Sequence, residues 1–313
     1  MLLEVTDIFE ELFGEPRKHN ESNCQISFDC PLCDDDKHSG NLEINYQNSL
    51  FKCWSCCDVN KMQGRIPYLL KRFGNKDSLK NYLFLKPDAE DIIDKNETII
   101  VKLPNEFNNF HKTKEKTYQE LLALKYLYDR GITDDIITKY NIGFANKGKY
   151  FNRIIIPSYD KEGKLNYFVS RWFGKEKIKN KYLNPEAEKE LLIFNEYKIN
   201  FDATIYLVEG TFDHIVIPNS IPLLGKFITP YLFNELYEKS VCDIVIVLDG
   251  EDTAFEDAKT IYKQLDMGDL TGRIKIVRPS DDEDPSSIFQ KWGYKGIIAL
   301  LRGAKRLSYE ELY

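Results

Sequence analysis

Long apolar runs are missing from this sequence. None approaches the roughly 18 residues that a membrane-spanning helix needs, so no membrane partner is expected. The opening stretch MLLEVTDIFEELFG has acids where a secretory leader would carry a basic region, and the chain is expected to stay in the cytoplasm. A surplus of positive charge is missing too: 43 Lys and Arg against 50 Asp and Glu leave a net charge of −7, which runs against the basic face usual in nucleic-acid enzymes. Internal repeats and low-complexity tracts are absent, which excludes a repeat architecture. What is present is the mix of a folded protein, with 42% hydrophobic, 13% aromatic and 30% charged residues. A length of 313 residues has room for two or three compact units, each with its own core.

The charge is unevenly spread. Asn146 to Lys181 holds ten Lys and Arg against three acids, whereas Asp281 to Asp284 reads DDED. A basic strip beside an acidic site suits an enzyme that grips phosphates and holds cations; a solvated surface explains the lysines equally well. Residues 1–85 read as a cysteine-bearing unit that opens with an amphipathic helix, Val5 to Phe13, and closes with another, Ile66 to Phe73. Residues 86–116 are polar, hold prolines and lack periodicity, so they read as a linker. In 117–200 a helix ends on Gly131, a second runs from Thr133 to Tyr140, and two β-rich runs flank a turn at Gly163 as an antiparallel hairpin. In 201–313 strand, turn and helix alternate three times: ATIYLVEG, CDIVIVLDG and GRIKIVRPS each lead into a helix, the middle one from Thr253 to Leu265. Nearly continuous apolar strands alternating with helices predict a parallel sheet covered on both faces. The expected class is a multidomain mixture of α+β and α/β.

Four of the seven cysteines form two pairs, Cys30-x-x-Cys33 and Cys53-x-x-Cys56, with 19 residues between the pairs. Without a secretion signal such pairs read as metal ligands rather than disulfides. Each short loop lets two thiolates reach one Zn²⁺, and a hairpin of NLEINY and SLFKC brings the pairs together. Cys57 is an alternative fourth ligand, Cys24 and His38 are outsiders, and Cys242 reads as packing. A closed four-ligand site is structural, so it would stiffen a surface bearing Phe51, Lys52 and Trp54. Lys52 and Trp54 there suit the phosphates and bases of a single strand, while for Phe51 and Trp54 a place in the small core is at least an equal alternative.

Acids stand at the carboxyl ends of the three strands: Glu209 with Asp213 in LVEGTFD, Asp249 with Glu251 and Asp252 in VLDGED, and Asp281, Asp282 and Asp284 in DDEDP. In an open parallel sheet these ends form one rim where ligands bind. Carboxylates gathered there repel one another unless cations intervene, and oxygen ligands suit Mg²⁺ or Mn²⁺. Such ions activate a hydroxyl and neutralise a phosphoryl group in transit, the chemistry of nucleotidyl transfer. Singly, Asp213, Asp252 and Asp284 also sit where helices begin and can serve as caps.

Over nearly its full length the chain resembles the bacterial replicative primases and their phage relatives. CPLC and CWSC resemble the primase zinc motif; YLYDRGITDDIITKYNIGFA, FNRIIIPSYDKEGKLNYFVSRWF and KYLNPEAEKELLIFNEY resemble the amino-terminal part of the catalytic core. LVEGTFD, VLDGED and DDEDP are similar to the three acidic motifs of the Toprim fold. The resemblance implies a DNA-directed RNA polymerase that makes short primers from ribonucleoside triphosphates on single-stranded DNA, beside a replicative helicase. It implies catalytic metals organised by Glu209, Asp249, Glu251 and Asp284, with Asp213 among the catalytic acids. It also implies phosphate contacts from Arg153, Arg171 and Lys181 and a role for Asn152.

The sequence departs from the family pattern in three places. Cys33 stands where the family often has His, an exchange of one zinc ligand for another. The middle acidic motif reads DGED, so either Glu251 or Asp252 takes its second position. The chain ends at SYEELY soon after the third motif, which implies a compact phage-type enzyme without a helicase-binding domain. Rival readings are another Toprim enzyme, such as a nuclease or topoisomerase-like protein, and a zinc-ribbon DNA-binding protein without catalysis.

Overall fold

A computed structural model describes residues 4–33, 40–56, 62–74, 76–86, 101–110, 116–187, 189, 192–225, 227–239, 241, 243–266 and 273–312. The chain divides into two compact units, Met1–Thr98 and Ile99–Tyr313. Cys57, His38, Cys242 and much of the expected linker lie outside the described residues.

In the first unit α1 (Val5–Phe13) precedes a five-stranded antiparallel sheet of β1 (Lys18–Asn20), β2 (Gln25–Phe28), β3 (Leu42–Asn45), β4 (Leu50–Cys53) and β5 (Gln63–Arg65), in that spatial order. Helices α2 (Ile66–Phe73) and α3 (Lys76–Leu85) follow. Pro67 in the first turn of α2 is preset for a helix start. Strand alternation turns Ile44, Phe51 and Cys53 inward, where they pack with Ile8, Phe9, Leu69 and Leu70. The hairpin expected from the sequence is therefore the middle of a wider sheet. The tyrosine hydroxyl of Tyr82, on α3, is satisfied by Ser49 Oγ at 2.7 Å, which lets a polar tip sit in a small core.

The second unit holds two sheets. One is antiparallel, in the order β6 (Phe107–Asn109), β7 (Gly143–Ala145), β8 (Arg153–Tyr159), β9 (Leu165–Trp172). Helices α4 (Tyr118–Tyr128) and α5 (Asp134–Lys139) lie between β6 and β7 in the chain. Strand β6 falls inside the stretch expected to be a linker; Phe110 beside it is buried and stacks on Phe144 at 5.0 Å, apolar contacts that a polar-looking sequence concealed.

The other sheet is wholly parallel: β11 (Ser220–Pro222), β10 (Ile205–Val208), β12 (Ile244–Val247), β13 (Ile274–Val277). Its helices are α6 (Thr211–Val216), α7 (Pro230–Glu238), α8 (Asp252–Asp266) and α9 (Pro285–Arg302), followed by the short α10 (Tyr309–Leu312). One face, with Val208, Val245, Val247 and Val277, packs on α6 and α9 and shares its core with α4, α5 and the antiparallel sheet. The opposite face, with Leu207, Ile244, Ile246 and Ile276, packs on α7 and α8. Burial on both faces is why these strands read as unbroken apolar runs. Helix α9 breaks at Gly293, whose φ of 59° is tolerated because glycine has no Cβ.

Candidate metal centre and acidic site

The cysteine cluster follows from strand register. Leu42 on β3 pairs with Phe28 on one side and with Cys53 on the other, so the turns after β2 and β4 leave the sheet at the same end. The Sγ atoms of Cys30, Cys33, Cys53 and Cys56 all lie within 4.8 Å of one another. Their closest separations are 3.6 Å for Cys30–Cys56, 3.4 Å for Cys33–Cys53 and 3.5 Å for Cys53–Cys56. A tetrahedral Zn²⁺ with bonds near 2.3 Å sets its sulfurs roughly 3.8 Å apart, so the four thiols fit one such ion. Burial pushes the Cys30 thiol up to about 12 and raises that of Cys33, a cost that a bound cation removes. Cys24 is not among the four; its Sγ faces the Glu21 carbonyl at 3.7 Å.

On the same unit Phe51 is core, at 3% exposed, and Trp54 is surface, at 64%. Lys52 Nζ lies 4.4 Å from the Trp54 ring centre, and Trp54 Nε1 donates to Glu43 Oε2 at 2.7 Å. The two alternatives open in the sequence thus divide between these aromatics.

In the second unit the parallel register aligns Val208 with Val247 and Val247 with Val277. Glu209, Asp249 and the DDED stretch therefore leave the sheet at one rim. Gly250 lets two acidic loops close on each other: its N–H donates to the Glu283 carbonyl at 2.8 Å, and a Cβ there would collide with the Ser280 backbone. Asp213 ties the first loop to the third, accepting from Gly210 N at 3.3 Å and from Ser286 N at 3.2 Å. Asp284 caps α9 through Ser287 N at 2.5 Å.

The carboxylates feel one another. Burial, then Glu209, Asp284 and Glu251 in turn, raise Asp249 to about 7. Burial, then Asp249 and Asp284, raise Asp213 to about 8, against the pull of the Ser286 and Gly210 amides. Such a cluster favours protons or cations. The middle motif is asymmetric: Asp252 Oδ1 is held by Arg278 Nη2 at 2.7 Å, and the same nitrogen reaches Asp281 Oδ1 at 3.0 Å. Glu251, by contrast, is among the charges acting on Asp249.

The basic residues separate. Arg153 is 7% exposed and spends its guanidinium on the carbonyls of Lys181 at 2.9 Å and Asn180 at 3.0 Å. That places it beneath the loop rather than on the surface. Lys181 is exposed, and Asn152 has a left-handed backbone, φ 54°, with a buried Oδ1 that lacks a partner. Arg171 lies over the Tyr182 ring at 4.6 Å, its Nε buried without a partner. Sequence reasoning foresaw neither the Arg278 clamp nor the Asp213 staple; the single basic residue before the four acids of RPSDDED was the visible sign of the clamp.

No family model matches the sequence. The chain is 29% identical over 225 residues to a DNA primase of Lactococcus lactis, across 57% of this chain and 34% of that protein. It is 23% identical over an alignment of 358 residues to a DNA primase of Legionella pneumophila, across 98% of this chain and 60% of that protein. In fold it is similar to the crystal structure of the zinc-binding and RNA polymerase domains of the Aquifex aeolicus primase, with a TM-score of 0.52 and 19% identity over 97% of this chain and 84% of that one. The chain spans about a third to three fifths of the length of these curated relatives. It resembles DnaG-type primases in sequence, and its fold is that of a primase zinc ribbon followed by a primase core.

Proposed function

We propose that this chain works as a DnaG-type DNA primase, a DNA-directed RNA polymerase that joins ribonucleotides into a short primer on a single-stranded DNA template. The observation that carries the reading is geometric: parallel register of Val208, Val247 and Val277 brings the acids of three strand ends to one rim, where burial and then Glu209, Asp284 and Glu251 raise Asp249. A rim so charged is unstable alone and becomes favourable with divalent cations. Mg²⁺ or Mn²⁺ bound there would lower the pKa of a primer 3′-hydroxyl and offset charge on the transferred phosphoryl group and departing pyrophosphate.

The residues divide the work. Glu209, Asp249 and Glu251 face the cation site. Asp252 is engaged by Arg278, so Glu251 takes the second position of the middle motif. Asp284 contributes charge while fixing the start of α9, and Asp213 orients the first loop. Cys30, Cys33, Cys53 and Cys56 hold Zn²⁺ as a rigid support for Lys52 and Trp54, which offer a cation and an aromatic face to the template. In this reading Asn152, Arg171 and Lys181 are assigned to phosphate contacts, with Arg153 holding the loop of Asn180 and Lys181 from beneath. The Toprim-type reading of residues 201–313, the division at 117–200, the helicase partner, a phage-type origin and a cytoplasmic location belong to the same proposal. For the last, no described helix is long and apolar enough to cross a membrane.

Incubation with short single-stranded templates, ribonucleotides and Mg²⁺ tests this. Template-dependent RNA oligomers, lost in Glu209→Gln, are expected; strand scission without synthesis would instead favour a nuclease.

A further inference from the structure

Between the two sheets of the second unit runs a chain of buried polar groups. His214 stands on α6 directly after Asp213 and is 2% exposed, with Asn195, Ser158 and Ser220 at 1% or less. Its Nδ1 lies 2.8 Å from the Ser220 carbonyl on β11, which can only accept, so Nδ1 carries the proton. Its Nε2 lies 3.3 Å from Asn195 Nδ2. The Asn195 amide is turned this way because its Oδ1 accepts from Tyr159 N at 3.3 Å, so Nε2 is the acceptor and the ring is neutral. Asn195 N in turn donates to Ser158 Oγ at 2.9 Å, and Ser158 Oγ donates to Asn166 Oδ1 at 2.6 Å. Tyr140 and Phe194 meet the imidazole edge-on at 5.4 Å and 5.5 Å, which fixes its plane.

The consequence falls on Asp213. Helix α6 has only six residues, too few to hold its own register. Its apolar residues Phe212, Ile215 and Val216 pack into the core, a non-directional contact that sets depth more firmly than rotation. Hydrogen bonds are directional and set rotation. Packing alone would be met by an apolar side chain; a buried polar ring with both nitrogens matched specifies one arrangement. We propose that His214, as the neutral Nδ1–H tautomer, is a positioning residue: it pegs α6 to β11 on one side and to Asn195 and β8 on the other, and so holds the Asp213 carboxylate where it accepts from both Gly210 N and Ser286 N. A small turn of α6 about its axis would break those two bonds, at 3.3 Å and 3.2 Å, and part the first acidic loop from the third. The effect on nucleotidyl transfer rests on the polymerase reading of that rim; the peg itself does not.

The test compares the whole wild-type chain with His214→Phe, a change that keeps an aromatic ring of similar size and removes both bonds. Amide exchange followed by NMR reads the bonds to Asp213. Protection of the Ser286 and Gly210 N–H groups is expected to fall about tenfold, the scale of one hydrogen bond, relative to that of Val247 in the neighbouring strand. A merely structural role would lower all three together. Primer synthesis should lose about tenfold in kcat, with KM for nucleotide within about twofold. Nitrogen-15 spectra of wild type should show Nδ1 protonated and Nε2 bare; the opposite tautomer overturns the proposal. So does protection at Ser286 and Gly210 that falls no more than at Val247 in folded H214F, and so does an unchanged kcat in a variant that has lost that protection. Should H214F unfold, His214→Asn decides by the same comparison, since its amide keeps the Ser220 bond and loses only that to Asn195. Wild type that makes no primer defeats the polymerase reading and leaves the peg to the exchange comparison; wild type that primes while H214F keeps both its kcat and its Ser286 protection defeats the peg alone.

Discussion

The two clusters that define this molecule, four thiols in the first unit and a rim of carboxylates in the second, solve opposite problems. The thiols are closed in: Cys53 is fully buried, and sulfur separations of 3.4 to 3.6 Å leave room for one ion and no substrate. The carboxylates are half open, since Glu209 and Glu251 are exposed while Asp213 is 7% exposed. Closure makes a metal part of the fold. Openness would make a bound cation exchangeable, and the bare carboxylates carry an electrostatic penalty that the divalent cations of the proposed reaction would relieve.

The sharpest way to break this comparison is to open the closed site. Cys53→Ser, or a strong chelator, should release one zinc per chain and unfold the first unit, because structural zinc contributes on the order of 10 kcal/mol to folding. Metal content and far-ultraviolet circular dichroism read this directly, and a variant that stays folded without zinc would make the two clusters alike. Next in size, Glu209→Gln or Asp249→Asn should cut primer synthesis about a thousandfold or more, roughly 4 kcal/mol of transition-state stabilisation. Neither variant should lower the melting midpoint, since removing one acid eases repulsion; a matching loss of fold would make the rim structural.

A smaller effect is set by pH. Asp249 at about 7 and Asp213 at about 8 stand above the ordinary carboxylate range. A carboxylate whose pKa is raised by folding supports the fold most below its unfolded value, near 4, and this support is lost as pH rises through 7 to 8. Stability should therefore fall by on the order of 1–2 kcal/mol over that window after allowance for screening at the partly exposed Asp249. Mg²⁺ should restore it, and Asp249→Asn should flatten the dependence; melting midpoints at pH 5.5 and 8 with and without Mg²⁺ check both. Smallest is Trp54→Ala, which should leave stability within about 0.5 kcal/mol because the ring is 64% exposed. It should weaken single-strand binding by about 1 kcal/mol, the scale of one stacked base, as read by anisotropy titration.

The same contrast governs what the sequence disclosed. Two Cys-x-x-Cys pairs and a hairpin determine a tetrahedron almost without further folding information, and strand-end acids in a parallel sheet must share a rim. Helix α8 was legible to within one residue at each end. Strand β11 and helix α7 were not anticipated: the strand has only three residues and ends in Pro222, too short for any period to register. Strand β6 and helix α3 were hidden for related reasons, a polar edge in one and weak amphipathicity in the other. Within the rim, what stayed illegible was the assignment of each carboxylate's hydrogen bonds. Whether an acid turns to a backbone amide as Asp213 does, to an arginine as Asp252 does, or toward a cation depends on loop packing around Gly250 and Arg278 that no local pattern encodes.

Anomalous diffraction from crystals grown with Mn²⁺ addresses the central claim most directly. A peak bounded by carboxylate oxygens of Glu209 and Asp249, diminished in Asp249→Asn, is the predicted result. A Mn²⁺-saturated crystal in which that rim carries no peak would contradict the account.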